Sequence, residues 1–322
     1  MKQVPDFLVC GEALMDVFPA EDTPRGVTLD ARVGGSPFNV AVGLARMSQS
    51  VALLAGVSRD TLGERLMREL EYEGVATSCV VRTAAPTTLS VIDVDTRRSP
   101  TYAFHGEGGA DRQVTVAALD RLPLDLSAVH VGSYAMVVEP IAHTLRTLVD
   151  RVRGRALIAW DPNVRATIVP DLTRWRELLR WMLPRTDVLK VSEEDLEALV
   201  PGANPDAFAA DAITAGVGLV VVTRGANGSV ARTRNAQAQV AADPVVVLDS
   251  VGAGDTFQSA LLTWLREHDA LSGRGAGALP ADELTKLLRF ASRSAAITCG
   301  RRGADLPNRA DLGEGWLPGS SG

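Results

Sequence analysis

Short runs that are apolar on both faces recur along the chain: VALLAGV at 51–57, residues 127–131, ALIAWD at 156–161, residues 187–191, GLVVVT at 218–223 and PVVVLD at 244–249. Amphipathic stretches, among them 61–73, 139–153, 193–200 and 255–268, lie between them. A strand apolar on both faces has to be covered on both, and parallel pairing needs a crossover long enough to hold a helix. The alternation therefore predicts an α/β fold, a doubly wound and mostly parallel sheet sandwiched by helices.

Two segments depart from this rhythm. Residues 12–33 and 86–105, the latter reading TTLSVIDVDTRRSPTYAFH from 87, alternate apolar and polar residues, the second around a turn-forming RRSP. Alternation of period two is the mark of a half-covered antiparallel hairpin. Both segments are expected to form a small β-sheet lid on a single domain spanning 1–312. The Gly/Pro-rich stretch 272–280 reads as a surface loop, and GEGWLPGSSG at 313–322 as a flexible tail.

At 322 residues the chain can bury a large core. Its formal charge of −6 argues against a nucleic-acid partner, which would need an unopposed basic face. The first residues, MKQVPDFLVCGEALMD, lack the apolar core of a secretory leader, and no stretch approaches the roughly 20 apolar residues of a membrane span. A cytoplasmic protein with no membrane partner is expected. Cys10, Cys79 and Cys299 are too few for a disulfide framework, and the four histidines form no zinc motif.

The strongest chemical signal is VVVLDSVGAGDTFQSALLTWL, residues 245–265. An apolar run enters Asp249, then Gly252, Ala253 and Gly254 allow a tight turn, and Asp255 opens an apolar helix. Backbone N–H groups at a helix start, beside glycines that admit a ligand closely, suit an anion such as a phosphoryl group. An Asp in this place also suits plain helix capping. No GxxxxGK[ST], HRD, DFG or early GxGxxG occurs, which excludes a P-loop, a protein kinase and the usual dinucleotide fingerprint. A second signal is VGGSPFNVAVGLARMSQSVALLAGVSRDTLG, residues 33–63, in which Gly34 and Gly35 permit close approach, Pro37 fixes a turn and Asn39 opens a helix. A tight loop before a helix would need no more than this.

Taken together, in this order and at this separation, the two segments closely resemble the two signatures of the ribokinase-like, or PfkB, family of carbohydrate kinases, and within it the fructokinases. The resemblance covers nearly all of residues 6–310. It implies Asp255 as catalytic base and the amides of Gly252, Ala253 and Gly254 as an anion hole. Asp16, in GEALMD, falls at the family's sugar-binding carboxylate, and Gly34, Gly35 and Asn39 fall in its sugar loop. FHGEGGAD at 104–111 looks like the stretch by which a lid strand returns to the main domain, with Glu107 and Asp111 toward the sugar; Gly106 stands where many fructokinases carry Arg. WDPNVR at 160–165 resembles the family's D-x-N-x-R, which makes Arg165 a candidate for steadying sugar or phosphate, and a solvent-facing Arg fits the residues as well.

KVSEEDL at 190–196 lies where the family has N-x-x-E, a motif that organises Mg²⁺ around the phosphates. Lys190 and Ser192 are then candidates toward the nucleotide, and Glu194, Asp195 and Asp249 toward the metal. TRGANGS at 223–229 resembles the turn along the nucleotide, with Thr223, Gly225 and Gly228; it reads equally as a hairpin turn. Residues 291–305 resemble the segment that borders adenine and in many members offers carbonyls to K⁺. The resemblance thus implies ATP and Mg²⁺ as cofactors, K⁺ as a further ion and a small sugar as substrate; lid strands with an exposed apolar face separately suggest a homodimer that buries them. D-Fructose, giving fructose 6-phosphate, is the first-choice substrate; ribose, 2-keto-3-deoxygluconate and a nucleoside stay open. A non-catalytic sensor of sugar or nucleotide and a dinucleotide oxidoreductase are the rivals from other classes.

Overall fold

The computed structural model describes residues 5–93, 101–123 and 125–316. Its centre is an eight-stranded sheet in the order Gln237–Val240, Ser229–Arg232, Leu219–Thr223, Val188–Ser192, Leu157–Asp161, Ala128–Gly132, Phe7–Cys10 and Val51–Leu54. The strands from Leu219–Thr223 to Val51–Leu54 run parallel, and the remaining pair forms an antiparallel hairpin on the edge.

Successive side chains of a strand point to opposite faces, so each inner strand feeds two cores. Phe7 and Val9 join one, with Phe38, Leu44, Trp264 and Leu287 from the helices Ser36–Arg46, Ala253–Glu267 and Ala281–Cys299. Leu8 and Cys10 join the other, with Leu145, Trp175 and Phe208 from Ile141–Val152, Leu172–Met182 and Pro205–Ala215. This is the doubly wound arrangement that the apolar runs require.

A four-stranded sheet carries the lid: Gly26–Gly34 and Thr101–His105 flank Leu14–Thr23 and Leu89–Asp93. Both lid segments pair as antiparallel hairpins internally and join each other in parallel between Leu14–Thr23 and Leu89–Asp93. The RRSP turn, 97–100, lies outside the described residues.

Several expectations need correction. PVVVLD at 244–249 is not a strand. It runs as a loop outside the sheet, with Val246 82% and Leu248 63% exposed and the Leu248 N–H donating to the Cys299 carbonyl at 2.8 Å. The Ser229–Arg232/Gln237–Val240 hairpin already occupies that end of the sheet, and Pro244 brings no N–H to a ladder. The run 51–57 breaks at Ala55, and Gly56–Ser58 pairs instead with Val81–Thr83. A Cβ at Gly56 would lie 1.9 Å from the Ala110 carbonyl oxygen, so only glycine lets the two segments cross there. Within 272–280, Gly273–Gly277 forms a short helix that buries Ala276. Of the expected tail, Trp316 packs against Phe290 at 5.7 Å between ring centroids, and 317–322 lie outside the described residues.

Candidate active site

Two helix starts meet above the C-terminal ends of the parallel strands. The first helix, Ser36–Arg46, begins three residues earlier than Asn39 suggests, because Gly35 (φ 105°) turns the chain and Pro37 sits in the first turn without needing a donor. The second, Ala253–Glu267, follows Gly252 in the left-handed region (φ 79°). Asp255 lies in that helix's first turn, is buried, and makes no capping bond. Its carboxylate is instead engaged from the other helix: Ser36 Oγ donates to Oδ1 at 2.6 Å and Asn39 Nδ2 donates to Oδ2 at 2.8 Å. Residues more than 200 positions apart thereby fix one carboxylate in place.

The first intrahelical bond here is Thr256 N–H to the Gly252 carbonyl at 2.8 Å, so the N–H groups of Gly254 and Asp255 precede the ladder. That of Ala253 is drawn into the turn by the Ser250 carbonyl at 3.2 Å. Positive potential at the helix end and glycine on both sides of Ala253 leave a start that an anion can approach.

Asp16 reaches the same space from the lid strand Leu14–Thr23. A Cβ on Gly34 would lie 2.2 Å from Asp16 Oδ2, which explains glycine at 34 better than loop flexibility does. Burial pushes the Asp16 carboxyl up to about 6; the Ser90 hydroxyl and the Arg165 charge pull against it, and Asp255 adds to it. Near it stands Glu12, 2% exposed, with no hydrogen-bond partner for Oε2 among the described residues and its carboxyl raised to about 8, chiefly by burial. Asp111 is fully buried one layer farther back. It accepts from Thr88 Oγ1 and from the Tyr134 hydroxyl, the latter at 2.8 Å. Arg165 is exposed, yet close enough for its charge to act on both Glu12 and Asp16. Glu107 is exposed, and no described hydrogen bond or ion pair joins it to this cluster.

Below the glycine turn lies a buried ion pair, Lys190 Nζ to Asp161 Oδ2 at 2.7 Å. Burial alone would lower the lysine; Asp161, Asp195 and Asp255 together outweigh it and hold it charged. Asp195 is buried in the first turn of Glu193–Leu199, capped by Ser192, and its Oδ1 accepts the Val164 N–H at 2.8 Å. Glu194 points outward. Asp249 ties the loop together: Oδ1 accepts from Val251 N–H at 3.0 Å and Oδ2 from Gly303 N–H at 2.8 Å. Thr223 ends its strand, and Gly225 (φ 52°) and Gly228 (φ 82°) shape the hairpin turn that follows.

A model of the pfkB family carbohydrate kinases matches residues 5–311. The chain belongs to this family. The kinase is 33% identical over 277 residues to a fructokinase of Rhizobium leguminosarum bv. trifolii, across 86% of this chain and 85% of that one. Among solved structures it is similar to Xylella fastidiosa fructokinase with bound ATP, at 27% identity and a TM-score of 0.84 over 96% and 97% of the two chains. It is also similar to Vibrio cholerae fructokinase bound to fructose, ADP and calcium, at 25% identity and a TM-score of 0.80 over 95% and 97%.

Ser36, Glu12 and Ser90 join this cluster although nothing in the sequence singles them out, and Asp161 is visible there only as the first residue of the D-x-N-x-R match. Ser36 and Ser90 have no distinguishing pattern, since their partners come from remote segments. Asp161 ends a buried strand and Glu12 comes two residues after another, the place where a parallel sheet presents polar groups to a ligand.

Proposed function

We propose that this sugar kinase transfers the γ-phosphoryl of MgATP to the primary hydroxyl of D-fructose, giving fructose 6-phosphate and ADP. The observation that carries the reading is the Asp255 carboxylate, pinned by Ser36 and Asn39 beside the Gly252–Gly254 turn. In this reading Asp16 accepts sugar hydroxyls, two at once if ionised. Asp255 takes the proton of the attacking hydroxyl, and the Gly254 and Asp255 amides face the charge spreading over the phosphoryl oxygens. A carboxylate at a positive helix end is a weak base, which suits a loose transition state that gives up the proton late.

Among the described residues no three His, Cys, Asp or Glu side chains form a metal cluster. That donor set fits a Mg²⁺ that arrives on the triphosphate and needs only one or two protein carboxylates, with Asp195 the inward-facing one. The ion, when bound, neutralises charge on the β- and γ-phosphates. Asp249, with both oxygens committed to backbone N–H groups, serves the loop in this scheme, and Glu194 and Glu107 have no part in it.

Among the described residues no helix is long and apolar enough to cross a membrane. We take the kinase to work in the cytoplasm. We also take it to pair through the lid, whose strand Gly26–Gly34 leaves Val27 49% and Leu29 57% exposed. A monomeric mass by light scattering would rule that pairing out. The substrate is tested by coupled ADP release over a panel of fructose, ribose, 2-keto-3-deoxygluconate and nucleosides. Fructose is expected to turn over fastest; turnover of another sugar without fructose would remove the substrate assignment and leave the class.

A further inference from the structure

Resting on the kinase reading, we propose that Lys190 touches the transferred phosphoryl group, with Asp161 as the positioning residue that aims its ammonium. Lys190 is 4% exposed and stands on the Val188–Ser192 strand next to the Leu157–Asp161 strand that ends in Asp161. One of its three N–H donors goes to Asp161 Oδ2, and no other described residue accepts the remaining two. A Cβ placed on Gly254 would lie 3.1 Å from Nζ, so the ammonium rises to the helix start at the point where the chain carries no side chain.

Two further observations separate this pair from a structural one. Replacing a buried ion pair by apolar residues of like volume is often neutral for stability or better, and a stabilising pair has its remaining lone pairs satisfied. Here Asp161 Oδ1 is buried with no partner among the described residues. Moreover, three carboxylates, Asp161, Asp195 and Asp255, act on the one ammonium, and His130 beside it is driven down to about 3 by burial and by the lysine charge, hence neutral. Among the described residues Lys190 is the one buried lysine or arginine, and it brings its positive charge to the helix start that the phosphates would approach.

During transfer the bond from the γ-phosphorus to the β–γ bridging oxygen breaks, and its electron pair leaves with ADP. The bond to the sugar oxygen forms as that oxygen's proton passes to Asp255. Lys190 gives and takes no proton; it stays charged and follows the phosphoryl oxygens across.

The double variant Asp161→Asn/Lys190→Met removes the ammonium together with the carboxylate hydrogen-bonded to it, so neither half of the ion pair is left buried alone, and it is expected to melt near the wild type. Calorimetry with MgATP and MgADP should show its ATP-over-ADP affinity ratio at least tenfold below that of the wild type. Its kcat should fall by roughly 10²–10³, as for loss of one transition-state donor, with the KM for sugar within about threefold. A structural pair would not move the ATP-to-ADP ratio. A double variant with ratio and kcat within threefold of wild type overturns the assignment while the kinase reading stands. If the double variant does not fold, Lys190→Gln, which keeps a donor to Asp161, is read by the same two quantities. A wild-type protein that releases no ADP with any sugar of the panel would instead sink the kinase reading itself.

Discussion

Asp255 shows how a single residue acquires meaning from remote partners. Asp255→Asn keeps the size of the side chain, and the Ser36 hydroxyl and Asn39 amide can reorient toward an amide. Thermal stability should therefore shift little, while kcat falls by roughly 10²–10⁴, the usual worth of a general base. A well-folded variant with near-normal kcat would eliminate Asp255 from that role. Asp16 carries a pH signature. Its carboxyl, ordinarily near 3.8, stands at about 6 in the folded chain because of burial. Between these values the unfolded chain has lost the proton and the folded one has kept it, so stability falls as pH rises across this window. The penalty is complete above about pH 6 and amounts to at most ~3 kcal/mol. Asp16→Asn should accordingly be more stable than wild type at pH 7.5 in urea titrations, with the gap closing below pH 4. The KM for sugar should improve as pH rises through about 6 in wild type and lose that dependence in the variant.

At the level of elements, loops and turns decide the site more than strands do. The Gly34–Gly35 turn lets the lid strand pass Asp16 before the helix at Ser36 begins, and a methyl at 34 would displace the Asp16 carboxylate. Gly34→Ala is expected to raise the KM for sugar tenfold or more with the KM for ATP within about threefold; equal effects on both would show that the turn does not belong to the sugar side. The 244–248 run offers a different check. Valines there are exposed, so Val246→Asp should change the unfolding free energy by no more than about 0.5 kcal/mol. Val221→Asp, in the buried Leu219–Thr223 strand, should cost several kcal/mol or prevent folding. Similar losses at both positions, measured from urea midpoints, would mean that the 244–248 run is buried after all.

At the scale of the whole molecule, the two cores hold a rigid sheet on which one set of site groups is mounted, and the lid sheet brings the other. Asp16, Ser90 and Gly34 come from the lid, Asp255, Lys190, Asp161 and Asp195 from the main body. Until a sugar completes this constellation, water near the γ-phosphoryl would be the only acceptor, and a half-open site provides little positioning for it. ATP hydrolysis in the absence of sugar should run at no more than about a hundredth of the rate with it. Equal ADP production with and without sugar would show that the lid does not gate the reaction.

The linear chain by itself determined the architecture and the identity of the central groups. Runs apolar on both faces can be satisfied only between two layers of helices, and the Gly-Ala-Gly-Asp and Gly-Gly-Ser-Pro-Phe-Asn stretches carry their turn geometry in their own composition. Tertiary structure decided what these local rules cannot reach. PVVVLD has the composition of a buried strand, yet it pairs with none of the described strands, and the sheet closes at this end with the 229–240 hairpin instead. Asp249 and Asp255 are both acids flanking one turn. One spends its oxygens on the backbone of 251 and 303, while the other is held by side chains from a helix more than 200 residues away. Hydrogen-bond partners and burial are properties of contacts made across the chain, and no window of sequence contains both members of such a contact.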